Sequence, residues 1–222
     1  MVYIQKILKL LEAEPQMPDA LRIDVNVRAK EFLEALRPSA SRFLSDELDI
    51  NKYNVEEVRM LIQSIPSALA TRNEDEMYPI QSITWDYSDD GFNSNAIPFL
   101  SVLAEEGLKV QVGGDKMRGG ILIKQSNDFE ADCILEELAS LRQSEDHYCD
   151  EHKRKHIERI CLDTIKSLRA KGLIRRDDIR RYNLLLKSQH PASIDRFRYF
   201  QNWISEASDA MEDADSTSNF MD

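Results

Sequence analysis

The sequence predicts a mainly α-helical protein, and three observations carry that reading. Glycine and proline are scarce, seven of each in 222 residues, and helix interiors exclude both. Apolar residues recur at spacings of three and four in successive stretches, the period of one helix face. At 42% apolar and 31% charged, the composition predicts a packed core under a heavily charged surface. No apolar run approaches the roughly 18–20 residues that cross a bilayer, so no membrane partner is expected.

The elements follow in order. Ile4, Ile7, Leu8 and Leu11 form a helical stripe with polar residues interspersed, unlike the apolar core and small-residue cleavage site of a secretion signal. The Pro15 to Pro18 segment interrupts it. A second apolar-periodic stretch runs from Val27 to Leu36 and stops before Pro38. The third begins at Asn54, with Glu57 three residues on, the pattern of a capping box. It continues through Val58, Leu61, Ile62 and Ile65 to Pro66. Pro-Ser-Ala follows both of these helices, 28 residues apart, a hint of internal repetition. Further on, a polar turn at residues 73–78 runs into Pro79-Ile80-Gln81-Ser82-Ile83, where proline suits the first turn of a helix. An amphipathic run from Asn95, with Ile97, Leu100 and Leu103, reaches Gly107.

In the C-terminal third, Ile157, Ile160, Cys161, Thr164, Ile165 and Leu168 hold helical spacing, and Gly172 supplies a C-terminal stop. Asp177 or Asp178 is expected to cap the next helix, through Ile179, Tyr182, Leu185 and Leu186 to His190-Pro191. A last helix from Ser193 carries Phe197, Phe200, Trp203 and Ile204. From about Ser208 the chain turns to Asp, Ser, Glu and Asn with few anchors, the composition of a disordered tail.

The middle of the chain resembles the ankyrin repeat. That pattern is a turn, then Thr-Pro-Leu-His-x-Ala opening one helix, then a second helix with paired aliphatics ending in glycine. Here Tyr78-Pro79-Ile80-Gln81-Ser82-Ile83 stands at the opening, and Ile97, Leu100, Leu103 and Gly107 mark the second helix. Tyr78 replaces Thr, Gln81 replaces His, Glu76 replaces the turn glycine, and residues 86–95 form an insertion. A further degenerate unit opens at Arg118-Gly119-Gly120-Ile121-Leu122. The chain is also similar to diatom-type ankyrin-like families in which a helical tail follows the repeats. The resemblance implies a short helical-repeat stack followed by a helical C-terminal module. It divides the chain into residues 1–142 with the N-terminal helix and repeats, 143–207 as the helical module, and 208–222 as the acidic tail.

A repeat stack implies partner binding through loops and helix edges. The expected function is therefore a protein interaction module or scaffold. Trp85, Tyr87 and Phe92 in the insertion, with Lys116 and Arg118 in the glycine loop, are the partner-binding residues this reading selects, since aromatic anchors carry much interface energy. Gly113-Gly114-Asp-Lys-Met-Arg-Gly119-Gly120 lacks phosphate-loop spacing and reads as a tight turn.

Cys149, His152 and His156 are spaced so that three donors could converge on zinc, a lesser reading that Lys153, Arg154 and Lys155 oppose electrostatically. Cys161 falls on the apolar stripe. No Ser, His and Asp group stands in a nucleophile context, and adjacent carboxylates such as Glu105-Glu106 diverge on a helix. No catalytic residue and no cofactor is assigned.

Net charge is −11, yet residues 151–200 carry 14 Lys/Arg against 6 Asp/Glu. These basic helices suit an acidic partner, nucleic acid being the alternative to protein. The odd number of cysteines fits a reducing compartment, so an intracellular, cytoplasmic or nuclear location is expected.

Overall fold

The computed structural model describes residues 19–83, 93–124, 133–140, 151–189 and 193–218, with side chains given from residue 27 to residue 206. The fold is mainly helical, and among the described residues the one β feature is an isolated antiparallel bridge between Lys124 and Cys133. The chain divides into two compact units, Met1–Ile134 and Leu135–Asp222.

The N-terminal unit begins with α1 (Asp19–Ala35), which starts earlier than the apolar period at Val27 indicates. Pro38 ends one helix and opens the next, because α2 (Arg37–Asp46) takes it in its first turn, where the missing N–H is no loss. In α3 (Val55–Ser64) the capping box forms as the sequence predicts. Asn54 Oδ1 accepts from Glu57 N at 2.9 Å, and Asn54 N donates to Glu57 Oε2 at 3.0 Å. A single 3₁₀ turn, Pro66–Ala70, buries Ala68 and Leu69. The short helix α4 (Pro79–Ser82) is buried at all four positions.

The next helix, α5 (Leu100–Val110), corrects the expectation that Gly107 terminates it. Gly107 lies inside the helix, and the stop is Gln111 in the left-handed region at φ 53°. The glycine answers to packing instead: a Cβ there would stand 2.4 Å from the Gly119 carbonyl oxygen. Packing within this unit pairs α2 with α4 and α3 with α5, and the 66–70 turn lies against α2, α3 and α5. Its core is aliphatic apart from Phe99, with Leu44, Leu48, Ile62, Ile65, Leu69, Ile80, Ile83, Ile97, Phe99 and Leu100 all essentially sealed from solvent.

The C-terminal unit takes in most of α6 (Ile134–Ser140), then α7 (Glu151–Ala170), α8 (Arg176–Arg181), α9 (Leu184–Lys187) and α10 (Ile194–Ser218). The Gly172 stop closes α7 as a Schellman motif. Leu173 N donates to Leu168 O and Gly172 N to Arg169 O, each at 2.9 Å, with Gly172 at φ 71°. Asp178 supports α8 from its third position, its Oδ2 accepting from Arg175 N at 2.7 Å, so the helix starts at Arg176. Left-handed Asn183, φ 49°, breaks the single expected helix into α8 and α9.

Helical backbone continues in α10 to Ser218, past Ser208, where the composition turns acidic. Ala, Met and Glu there are strong helix formers, and extending an existing helix adds one hydrogen bond per residue fixed.

Candidate partner-binding surface

Two surface loops of the N-terminal unit are built alike, each on one side chain that accepts from the backbone ahead of it. Asn73 Oδ1 accepts from Asp75 N at 3.0 Å and Met77 N at 2.9 Å, while its own N–H donates to Met77 O. Glu76 closes the turn at φ 57°, the left-handed position where the repeat pattern places glycine. Forty-odd residues on, Asp115 Oδ1 accepts from Met117 N and Arg118 N, and Oδ2 from Gly120 N, at 2.9–3.0 Å. Gly119 closes this second turn at φ 61°. A Cβ on Gly119 would stand 1.9 Å from Ala104 O, so the loop lies on α5 backbone to backbone.

With three N–H groups already on its carboxylate, Asp115 makes the glycine-rich loop a self-satisfied turn. The sequence signal for it was an Asp followed by glycines, the composition of side-chain-supported turns.

Gln81, where the repeat pattern has His, spans two segments. Its Oε1 accepts from Tyr78 N, and its Nε2 donates to Lys124 O, both at 2.9 Å. On the preceding turn Arg72 lies 4.9 Å from the centroid of the Tyr78 ring, and its side-chain hydrogen bond with Tyr78 holds the guanidinium above its usual pKa.

Of the residues selected from sequence, Trp85, Tyr87 and Phe92 lie outside the described residues. Lys116 is exposed on the second loop, and Met117 beside it is 52% exposed. Arg118 is placed differently from the expectation: it is buried, with Nη1 donating to Met117 O, so it braces the turn. A sequence cannot foretell that, because the backbone fold of the loop turns the side chain inward. Met117, which sequence reasoning passed over, takes the exposed place beside Lys116. The first loop presents Glu74, Asp75 and Glu76 to solvent.

A network centred on buried Glu106 joins α3 to α5. Arg59 donates to Glu105 Oε2 at 3.0 Å and to Glu106 Oε1 at 3.1 Å, and Gln63 also donates to Glu106. Burial by itself would raise the Glu106 pKa, yet Lys109, Gln63 and Arg59 together hold it below the usual carboxylate range.

In the C-terminal unit His152 and His156 are exposed on α7, while Cys149 lies outside the described residues. Among the described residues no three His, Cys, Asp or Glu side chains gather in a way that could hold a metal ion. Cys161 is fully buried, and burial pushes its thiol up to about 12. It packs as a small apolar residue rather than serving as a thiolate.

Beside it stands the least expected residue of the unit, Arg196, with no solvent exposure. Its Nη2 lies 2.9 Å from Glu158 Oε2, its Nη groups also donate to Leu138 O and Ser193 Oγ, and its backbone N–H donates to Glu158 Oε1 at 3.2 Å. One guanidinium thereby ties α6, α7 and the start of α10 together. Burial raises the Glu158 carboxyl and lowers the Arg196 guanidinium, and each charge partly offsets the shift of the other.

The aromatic residues of α10 are also engaged within the unit. Phe200 and Trp203 are buried, Arg169 Cζ lies 4.4 Å from the Trp203 ring centroid, and Lys166 Nζ lies 6.0 Å from that of Tyr199. The basic side chains divide into two kinds. On α7, Lys155 pairs with Glu151 and both Arg159 and Lys166 with Asp163 along the helix, while Arg169 reaches Glu206 of α10. Arg175, Arg176, Arg180 and Arg181 make no ion pair among the described residues. No helix of the described residues is long and apolar enough to cross a membrane.

Comparison with family models, with curated proteins and with solved structures returns no match for this chain.

Proposed function

We propose that the N-terminal unit is a short stack of ankyrin-like repeats whose loop edge binds a protein partner, making the chain an interaction module or scaffold rather than an enzyme. The observation that carries this reading is the pairing of its helices. The two proline-opened helices, α2 and α4, pack on each other, and the two that follow them, α3 and α5, do the same. Stacked repeats bury their faces in that register, each unit supplying the surface its neighbour lacks. Gln81 supports it by reaching from one unit's opening to Lys124 at the next, the bridging role the repeat pattern gives to His. Glu76 and Gly119 support it by their positive φ at corresponding turns.

On this reading the loops at 73–77 and 113–118, with the insertion at 86–95 between the helices of one unit, form the binding edge. Loops on a rigid helical scaffold commonly carry recognition. Lys116 and Met117 are its exposed cation and apolar anchor. Trp85, Tyr87 and Phe92 are the aromatic anchors.

The test is a pull-down with the tagged full chain, with and without nuclease, at low and high salt. The reading expects a protein that survives nuclease and is lost on Trp85→Ala, Phe92→Ala or the Lys116→Ala/Met117→Ala pair. Capture of nuclease-sensitive material alone, or of a protein indifferent to all of these substitutions, overturns it.

A further inference from the structure

Arg175, which caps α8, and the three arginines of α8 remain unaccounted for by a binding edge on the N-terminal unit. All four fall within residues 175–181, and Arg175, Arg180 and Arg181 are exposed. The helix beneath is held firmly: Ile174 and Ile179 are buried, and Asp178 is turned inward as the acceptor for Arg175 N. Within this segment Asp177 is the one exposed carboxylate. Like charges four apart on a helix, such as Arg176 and Arg180, repel each other. On the preceding helix α7, Lys155, Arg159, Lys166 and Arg169 each have a carboxylate partner, whereas α8 leaves its guanidiniums open.

Against α8 packs α9, which carries Leu186 at 65% exposure, while Leu184 on the same short helix is fully buried. Leu184 and half-buried Leu185 face the unit, and Leu186 is the one that points to solvent. A run of exposed guanidiniums along one short helix, with an apolar side chain displayed on the helix packed against it, fits one kind of occupant.

We infer that α8 and α9 form a docking surface for an acidic segment of a protein partner, one in which Asp and Glu side chains accompany an apolar anchor. Guanidinium geometry matches carboxylates through paired N–H donors. The span of α8, about 9 Å at 1.5 Å per residue, accommodates a few carboxylates rather than an extended polyanion. Nucleic acid fits less well for three reasons on the page. The net charge of −11 repels a polyanion long enough to extend beyond the short basic segment, whereas a short acidic peptide stays over the arginines. Arg169 and Lys166 already stand over the Trp203 and Tyr199 rings that bases would stack on. An exposed leucine contributes nothing to phosphate binding.

The experiment uses the full chain and two labelled probes, a short peptide of Asp and Glu with a central Leu-Leu pair and a single-stranded oligonucleotide of equal charge, both followed by fluorescence anisotropy. The peptide is expected to bind, more weakly as salt shortens the range of charge interactions. Arg180→Gln/Arg181→Gln should weaken it about fivefold to tenfold, the scale of two exposed charge contacts. Leu186→Ser should weaken it independently, with circular dichroism unchanged in both variants. Lys155→Gln, which removes a cation already paired to Glu151, should leave binding as it is. The inference is overturned by absence of peptide binding, by equal loss in the Lys155 variant, or by an oligonucleotide that binds more tightly and is lost with the same arginines.

Discussion

Replacing Glu158 by alanine should destabilise the C-terminal unit by about 3–5 kcal/mol, the cost of stranding one member of a buried ion pair. The magnitude rests on Arg196, which has no solvent exposure and finds in Glu158 the one anion at ion-pair distance among the described residues, 2.9 Å away. Removing that carboxylate leaves a cation with the Leu138 carbonyl, the Ser193 hydroxyl and the Cys161 thiol, all uncharged, to answer it. It also removes the acceptor for Arg196 N at the first turn of α10, where helix N–H groups have no partner in their own helix. An exposed pair such as Arg159 and Asp163 contributes about 1 kcal/mol or less.

The assay is urea unfolding of the full chain carrying Trp85→Phe, so that Trp203, buried in the affected unit, is the remaining indole reporter. Glu158→Gln keeps an acceptor and loses the charge, so its cost should fall between those of Glu158→Ala and Asp163→Ala. Replacing both partners with apolar residues, Glu158→Leu with Arg196→Met, should recover most of the loss, since an apolar pair avoids the desolvation cost of buried charge. A Glu158→Ala cost near that of Asp163→Ala would refute the reasoning, because it would mean the guanidinium reaches water at little expense.

Two further outcomes concern the N-terminal unit. Gly119→Ala should cost about 2–4 kcal/mol, since it combines a left-handed φ with a collision against the Ala104 carbonyl; Gly114→Ala, also at positive φ but in open space, should cost about 1–2 kcal/mol. Thermal melts of the two variants check this, and equal losses would mean the loop does not lie on α5 as described. For Glu106 the sign follows from its lowered pKa: its stabilising contribution is full above the unfolded-state value and is lost as pH falls through the folded one. Stability measured across the acid range should therefore fall less steeply in Glu106→Gln than in the parent chain, whose carboxylate must be protonated against Lys109, Gln63 and Arg59.

Much of the helical framework is legible in the residues alone. Asn54 with Glu57 announces a capping box, Gly172 announces a Schellman stop, and the 157–168 spacing announces one long amphipathic helix, because these signals lie within a few residues of one another and depend on local geometry. Asn183 escaped that reading: one left-handed residue breaks a helix whose apolar period runs on unchanged through it. Gly107 escaped it for a different reason. Its meaning depends on how closely the 115–120 loop approaches α5, and nothing next to it in sequence records that distance.

The proposed binding surface is legible in part. Lys116 stands exposed where the glycine loop suggests, but Arg118 turns inward and Met117 takes the outer place, a matter of which way the Asp115-centred turn faces each side chain. Nothing beside Arg196 in the sequence marks it as buried, since burying a charge is intelligible only once its counter-charge is known. Glu158, 38 residues earlier, becomes that counter-charge through the packing of α10 on α7. The sequence by itself determined the helical class, the caps and stops, and the uneven charge, because each is set by neighbours along the chain. Tertiary structure alone decided which charges are buried, which glycines are required and which arginines stay open, because burial and close approach belong to pairs of residues that only folding brings together.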